Sequence, residues 1–190
     1  MHHVEPHYMW RHLYLASEDE RSPFFGYQNS EVYFTDTIYN HIIHPQWDYF
    51  GAETLYIKQL YTDYDLGFTI LEFIGEWNDI LHNDIMTLKR DILEPIMAEG
   101  IRYFILIGDN LLNFHAGDTD YYEEWFEEVE GEGGWVALVN FRQHLREEIQ
   151  QYHLDYYLVM GGKLDELEWR KWSPVKMFTK VRSLVEKRLN

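Results

Sequence analysis

The sequence of 190 residues contains no cysteine. This absence excludes disulfide bonds, thiolate nucleophiles and zinc sites built on cysteine ligands. Long hydrophobic runs are also missing. Residues 1–7 have no apolar core of signal-peptide length, and no window approaches about eighteen apolar residues. The sequence therefore predicts a cytoplasmic protein that does not insert into a membrane.

Positive charge is scarce. Lysine and arginine number 16 against 33 aspartate and glutamate residues, which gives a formal net charge of −17. Because such a field repels phosphate backbones and anionic lipids, nucleic acids and membranes are not expected partners. The phosphate-binding patterns G-x-x-x-x-G-K-[ST] and G-x-G-x-x-G are missing, as is the nucleophile elbow G-x-S-x-G. We therefore expect no cofactor, and the sequence favours a protein that is not an enzyme.

What is present is an alternation of strand and helix signals. Residues 103–107, 135–139 and 156–160 form short apolar runs, the pattern of strands covered on both faces. Strands that alternate with helices predict parallel pairing with right-handed crossovers. The spacing of apolar residues, with start and stop signals, predicts helices over 84–98, from 118–120 to 130–134, around 145–152, and from Pro174 onward.

Residues 54–61 alternate in a strand-like way and are predicted to form an antiparallel hairpin with residues 68–74. The predicted fold over residues 51–190 is therefore an α/β domain with a mixed, largely parallel sheet and helices packed on it. Residues 1–50 are rich in aromatic residues and are interrupted by Pro6, Pro23 and Pro45. They predict an irregular, aromatic-rich N-terminal extension packed on the domain, with a helix near residues 35–41.

This order of elements, together with the turn Gly-Glu-Trp-Asn-Asp at residues 75–79, resembles the STAS domain of anti-sigma-factor antagonists and sulfate-transporter tails. The resemblance covers residues 55–160, or extends to the C-terminus if the last helix corresponds to the closing helix of the family, and it implies a regulatory module that binds proteins. The family carries a phosphorylatable Ser or Thr where this chain has residues 114–120, of which only Thr119 could accept a phosphate. Since Asp118 and Asp120 flank it, we expect a site that stays negative rather than a phosphorylation switch.

Residues 109–132 contain nine carboxylates and no lysine or arginine. One interpretation is an acidic surface that binds a basic protein partner. The other is a solvated helix face, or one paired with the C-terminal helix, because eight of the 16 basic residues lie between Lys163 and Arg188. The residues predicted to contact a partner are Asp118, Thr119, Asp120, Tyr121, Glu123, Glu124 and Trp125.

Three alternatives remain open at this stage. The first is a small-ligand site or an unrecognised enzyme site at the strand ends, where ligands of α/β sheets tend to bind. Its residues would be Trp77, Asp79, Asp109, Asn113 and His115. The second is a homo-oligomer in which the N-terminal extension packs on another copy. The third is a metal site with His41, His44 and Asp48 as ligands. Because Pro45 pushes His44 away from helical geometry, this site is disfavoured and we assign no metal.

Overall fold

The computed structural model describes residues 2–189 and contains, within them, two β-sheets. The first is small, with the strand order β1-β3-β2, and the second has four strands in chain order. The strands are β1 His2–Val4, β2 Thr37–Ile38, β3 His41–Ile43, β4 Leu55–Asp63, β5 Phe68–Asn78, β6 Tyr103–His115 and β7 Trp135–Val139.

The larger sheet is mixed, as predicted. Strand β4 pairs antiparallel with β5, whereas β5, β6 and β7 are parallel. Their first residues lie side by side, with Phe68 opposite Tyr103 and Tyr103 opposite Trp135. Strands β5 and β6 extend well beyond the apolar runs that identified them. The α/β class with a largely parallel sheet is therefore confirmed.

The prediction of a strand over residues 156–160 is wrong, although this segment lies beside β7 and runs parallel to it as expected. Only Val159 pairs with the sheet, through one isolated parallel bridge to Ala137. A 3₁₀ turn at Leu154–Tyr156 precedes it, and Gly161 and Gly162 follow it with φ of 90° and 59°. These two positive φ values turn the chain away from the sheet edge immediately after the bridge.

The helices form two layers on the sheet. They are α1 Asp79–His82, α2 Asp84–Leu88, α3 Glu94–Ala98, α4 Asp120–Gly131, α5 Gln143–Gln151 and α6 Pro174–Leu189. Helices α2 to α5 bury their apolar residues against one face of the sheet, and α6 buries its own against the other. The hypothesis that the basic C-terminal helix lies beside the acidic one is therefore wrong.

The predicted helix over residues 84–98 is present but contains a widened turn. A π-helical turn, Lys89–Leu93, joins α2 to α3, and the Glu94 N–H bonds to the Lys89 carbonyl. The ring of Pro95 would clash with the carbonyl four residues before it, which belongs to this turn. The irregularity therefore lies just before Pro95.

The N-terminal extension packs against its own chain. Trp10 contributes to the core on the α6 face of the sheet, and Phe24 to the core on the opposite face. The helix predicted near residues 35–41 is wrong, because strands β2 and β3 form a tight hairpin there, with Tyr39 at a φ of 54°. Among the residues described, no helix combines the length and the apolar character that a membrane crossing requires.

Candidate functional site

One buried carboxylate joins the end of β5 to the first turn of α4. Asp79 is 6% exposed and accepts hydrogen bonds from the Trp77 indole Nε1 at 3.0 Å and the Ile85 backbone N at 2.9 Å. The Tyr122 hydroxyl, from α4, donates to the other carboxylate oxygen at 2.6 Å. Tyr122 is itself only 1% exposed. Asp79 therefore fixes the position of α4 relative to the turn that follows β5.

Burial perturbs the two carboxylates of this turn. It raises the pKa of Asp79 to about 6, against the opposing effect of the hydrogen bonds from Tyr122, Ile85 and Trp77. Burial likewise raises the pKa of Asp84 to about 6. Asp84 accepts a hydrogen bond from the Asn78 backbone N at 2.7 Å, and its second oxygen has no partner among residues 2–189. Both groups hold the local backbone in place.

The loop before α4 packs directly on this turn. A β-carbon on Gly117 would lie 3.1 Å from the backbone carbon of Asp79, so the two backbones are in close contact. The next residue, Asp118, accepts a hydrogen bond from the Asp120 N–H at 3.2 Å. The Thr119 side chain, at the N-cap position of α4, makes no capping bond.

The outer side of this junction exposes apolar residues beside carboxylates. Ile80 and Leu81, on α1, are 61% and 74% exposed. The first turn of α4, which Tyr122 joins to Asp79, carries the exposed carboxylates Asp120 and Glu123, and exposed Asp118 lies two residues before the helix. We call this the α1–α4 surface; it comprises Ile80, Leu81, Asp118, Asp120 and Glu123.

The predicted partner-binding residues divide into an exposed group and one buried residue. Asp118, Asp120, Glu123 and Glu124 are exposed, and Thr119 and Tyr121 are partly exposed. Trp125 is wrongly included, because its side chain is 0% exposed and packs edge-on against Phe104, with ring centroids 5.3 Å apart. Its position on the helix places it on the buried stripe of α4.

Two of the acidic residues of α4, Glu124 and Glu128, pair with a basic residue of the same chain. This residue is Lys89 and not a residue of α6. The Lys89 side chain is 0% exposed, and its Nζ lies 3.0 Å from Glu94, 3.3 Å from Glu124 and 3.2 Å from Glu128. Burial opposes the charged form, but the hydrogen bonds to the three carboxylates raise the Lys89 pKa above its ordinary value. Glu124 and Glu128 are therefore neutralised in part by their own chain.

The structure does not bring the predicted ligand-site residues together. Trp77 and Asp79 are buried and bonded to each other. Asp109 lies elsewhere and accepts a hydrogen bond from the Trp169 indole Nε1 at 2.8 Å. Asn113 donates to the Tyr39 hydroxyl at 3.1 Å, and His115 lies 3.7 Å from Glu76. The five side chains thus belong to three separate hydrogen-bonded groups, so this prediction is wrong as a single site.

Sequence reasoning missed Glu72, a fully buried carboxylate in the middle of β5. It accepts hydrogen bonds from the His7 backbone N at 2.8 Å and from the Asn110 side chain at 3.1 Å, and Arg170 lies 3.4 Å away. Burial raises the pKa of Glu72 to about 7 despite these contacts. The available signal was a lone carboxylate within an otherwise apolar strand, Phe-Thr-Ile-Leu-Glu-Phe-Ile.

The histidine cluster has different members from those predicted. Asp48 pairs with Lys58 at 3.2 Å, away from the histidines, whereas ligand atoms of His3, Glu5 and His44 lie within 4.8 Å of one another. The Gln46 backbone N–H donates to Nδ1 of His44 at 3.0 Å. In neutral His44 the proton is therefore on Nε2, which lies 3.3 Å from Glu5. Glu5 and His44 thus pair within the N-terminal extension, and the His3 ring packs against the His44 ring with centroids 4.9 Å apart.

Comparisons with known proteins give matches among solved structures alone. No family model matches the chain, and no curated protein matches it. The anti-sigma factor antagonist SpoIIAA in its unphosphorylated form is 13% identical, with 67% of this chain and 96% of that chain covered and a TM-score of 0.48. The Thermotoga maritima protein TM1081 is 11% identical, with 66% and 94% covered and a TM-score of 0.45. The phosphorylated form of Bacillus SpoIIAA is 13% identical, with 56% and 92% covered and a TM-score of 0.41.

Proposed function

We propose that this protein is a non-catalytic interaction module whose α1–α4 surface docks on a protein partner with a basic surface. The observation that carries the proposal is the exposure of Ile80 and Leu81, at 61% and 74%, on a helix held in place by a buried hydrogen-bond network. Two neighbouring apolar side chains at such exposure keep apolar area in water. A partner that covers them stabilises the complex by about 25 cal/mol for each Å² removed from water.

The rigidity of the surface supports the same function. Asp79 immediately precedes Ile80 and is bonded to Trp77, Ile85 and Tyr122. The backbone that presents the two apolar side chains is therefore ordered before any partner arrives. Because binding is opposed by the entropy of ordering loops and side chains, such preorganisation favours affinity.

Charge indicates the kind of partner. Asp118, Asp120 and Glu123 flank Gly117 and Tyr122, the two residues that contact Asp79, and residues 109–132 contain no lysine or arginine to balance them. Lys89 lies within reach of the acidic helix, but its side chain is buried against Glu94, Glu124 and Glu128. A basic rim on the partner would complement the carboxylates and speed association, an effect that weakens as salt rises.

The test is affinity capture from native lysate with three forms of the chain. The first is wild type, and the second carries Asp118→Lys, Asp120→Lys and Glu123→Lys. The third is a matched control with the same change in net charge on exposed residues elsewhere, Glu20→Lys, Asp155→Lys and Glu166→Lys. We expect wild type and the control to retain a common partner that the α1–α4 variant loses. Identical captured proteins in all three forms would remove this surface from the proposal.

A second variant separates the apolar contact from the charge. Leu81→Ser removes the more exposed of the two apolar side chains and leaves every carboxylate in place. We expect this variant to bind the partner much more weakly than wild type, or not at all, at every salt concentration, because salt does not screen an apolar contact. The charge variant should instead lose most of its effect in high salt.

A further inference from the structure

A cavity lined by aromatic rings is formed by residues 27–56 and shares no residue with the α1–α4 surface. Its volume is about 370 Å³, which falls in the range of small-molecule sites. Aromatic side chains and a single carboxylate define it: Tyr27, Tyr33, Trp47, Tyr49, Tyr56 and Asp36. This combination of residues belongs to none of the interactions proposed above.

The base of the cavity is rigid. Trp47 is 3% exposed, and its indole N–H donates to the Val4 carbonyl at 2.9 Å. Tyr56 is 9% exposed, and its hydroxyl donates to Asp36 at 3.2 Å. Both rings belong to a small apolar core under the N-terminal sheet. Their positions are fixed by contacts within the chain.

The rim is exposed and aromatic. Tyr33 is 74% exposed and Tyr49 is 54% exposed. The Tyr49 ring lies 6.0 Å from the Tyr56 ring, at an interplanar angle of 54°. Two rings that are tilted in this way can both contact one bound group, whereas rings stacked flat on each other cover one another's faces. Binding of a suitable group would remove apolar ring surface from water.

The charge of the lining selects the ligand. Among the residues described, no lysine or arginine lines the cavity, and Asp36 supplies a carboxylate. His44 also lines it, and burial lowers the pKa of this histidine below its ordinary value, which favours its neutral form. An anion would face Asp36 with no compensating cation, whereas a cation would face both the carboxylate and the negative faces of the rings.

The type of cation follows from the aromatic lining, because five of the eleven residues that line the cavity are tyrosine or tryptophan. A primary ammonium group is strongly hydrated and needs hydrogen-bond acceptors for its three N–H donors. A quaternary ammonium group has no N–H donor, and aromatic faces replace its weak hydration. We propose that this cavity binds a trimethylammonium group, carried either by a small molecule of the choline type or by a trimethylated lysine side chain.

The first experiment compares charge at constant shape. Choline and its neutral carbon analogue, in which carbon replaces the charged nitrogen, are titrated into the full chain by calorimetry. The indole N–H resonance of Trp47 in a heteronuclear NMR spectrum reports where they bind. We expect saturable choline binding at this site, with the neutral analogue weaker by about tenfold or more. Equal binding of the two, or no saturation by any trimethylammonium ligand, would overturn the proposal.

A further arm distinguishes the two sources of the group. A short peptide with trimethyllysine is compared with the same peptide carrying unmodified lysine and with free choline. Tighter binding of the trimethylated peptide than of choline would assign the cavity to a modified protein. Tighter binding of choline would assign it to a small molecule. Preference for unmodified lysine would contradict the argument.

Variants locate the binding without disturbing the core. Tyr33→Leu and Tyr49→Leu change exposed rings, and Asp36→Asn removes the charge while retaining the shape. We expect each to weaken choline binding by about fivefold to tenfold. Tyr156→Leu, which changes a 76% exposed tyrosine outside the cavity, is the matched control and should bind as wild type does. Unchanged affinity in all three cavity variants, with a native circular dichroism spectrum, would refute the site.

Discussion

Replacing Tyr122 with phenylalanine tests the network that holds the α1–α4 surface in place. The change removes only the hydroxyl that donates to Asp79 at 2.6 Å and leaves the buried ring. An ionised carboxylate oxygen then remains buried without that donor. Hydrogen bonds to charged groups contribute about 1.5–3 kcal/mol, so we expect Tyr122→Phe to lower the free energy of unfolding by about 2 kcal/mol at pH 8.

The loss of stability caused by Tyr122→Phe should depend on pH, and it should be larger at pH 8 than at pH 5. Burial raises the pKa of Asp79 to about 6 from an ordinary value of 3.8, so the folded state holds this proton over a wider range than the unfolded state. The contribution of Asp79 to stability therefore falls as pH rises from about 4 to about 6. Below pH 5 the folded carboxyl is mostly protonated, and the lost hydrogen bond to a neutral group should cost about 1 kcal/mol.

Urea unfolding followed by tryptophan fluorescence, at pH 5 and pH 8, measures both effects. Tyr121→Phe is the matched control, because its hydroxyl contacts Arg90 at 3.3 Å in an exposed position and should contribute less than about 0.5 kcal/mol. A Tyr122→Phe variant as stable as the control at pH 8 would refute the reasoning. So would a larger loss at pH 5 than at pH 8.

Three further predictions concern other parts of the fold. Because burial raises the Glu72 pKa from 4.5 to about 7, the free energy of unfolding of the wild type should fall by about 3 kcal/mol between pH 4.5 and pH 7, and Glu72→Gln should remove this fall. Urea titrations of the two proteins across this range measure the effect, and an equal fall in both would refute the prediction. Lys89→Met should destabilise the chain at low salt and less so at high salt, because three neighbouring carboxylates lose their shared cation; a loss independent of salt would contradict this account. Removing residues 1–50 should lower the melting temperature by more than about 10 °C, because Trp10 and Phe24 belong to the cores on the two faces of the sheet. Size-exclusion chromatography of the shortened chain also tests whether the extension joins two copies.

Apolar runs predicted the central strands well, because a strand covered on both faces requires continuous apolar sequence. Residues 103–107 and 135–139 pair in parallel as expected. Residues 156–160 form a similarly apolar run, yet only Val159 bridges to the sheet. Composition does not show whether a neighbouring turn lets a segment align, and here Gly161 and Gly162 end the pairing.

The candidate surface was predictable in part. The carboxylates of α4 lie outside because the opposite side of the helix is apolar, and helical periodicity shows this. The same periodicity places Trp125 with Val129 on the buried stripe, so its inclusion in the surface was an error of assignment. Asp79 could not be identified as the anchor from sequence, because Tyr122 is 43 residues away and only the fold brings them together.

The helix expected near residues 35–41 shows a different limit. The segment is short, and its apolar residues do not distinguish one helical turn from a hairpin. Pairing with β1, which lies more than thirty residues earlier in the chain, decides the outcome. Glu72 was missed for a related reason: its partners His7 and Arg170 come from opposite ends of the chain.

Site-specific photocrosslinking in living cells tests the central claim most directly. A photoreactive amino acid in place of Leu81 would lie in the α1–α4 surface, and the same amino acid in place of Tyr156 would be equally exposed outside it. The account predicts a covalent adduct with a second protein from position 81 that position 156 does not give. Absence of any adduct at position 81, or the same adducts from both positions, would contradict the assignment of this surface to a partner.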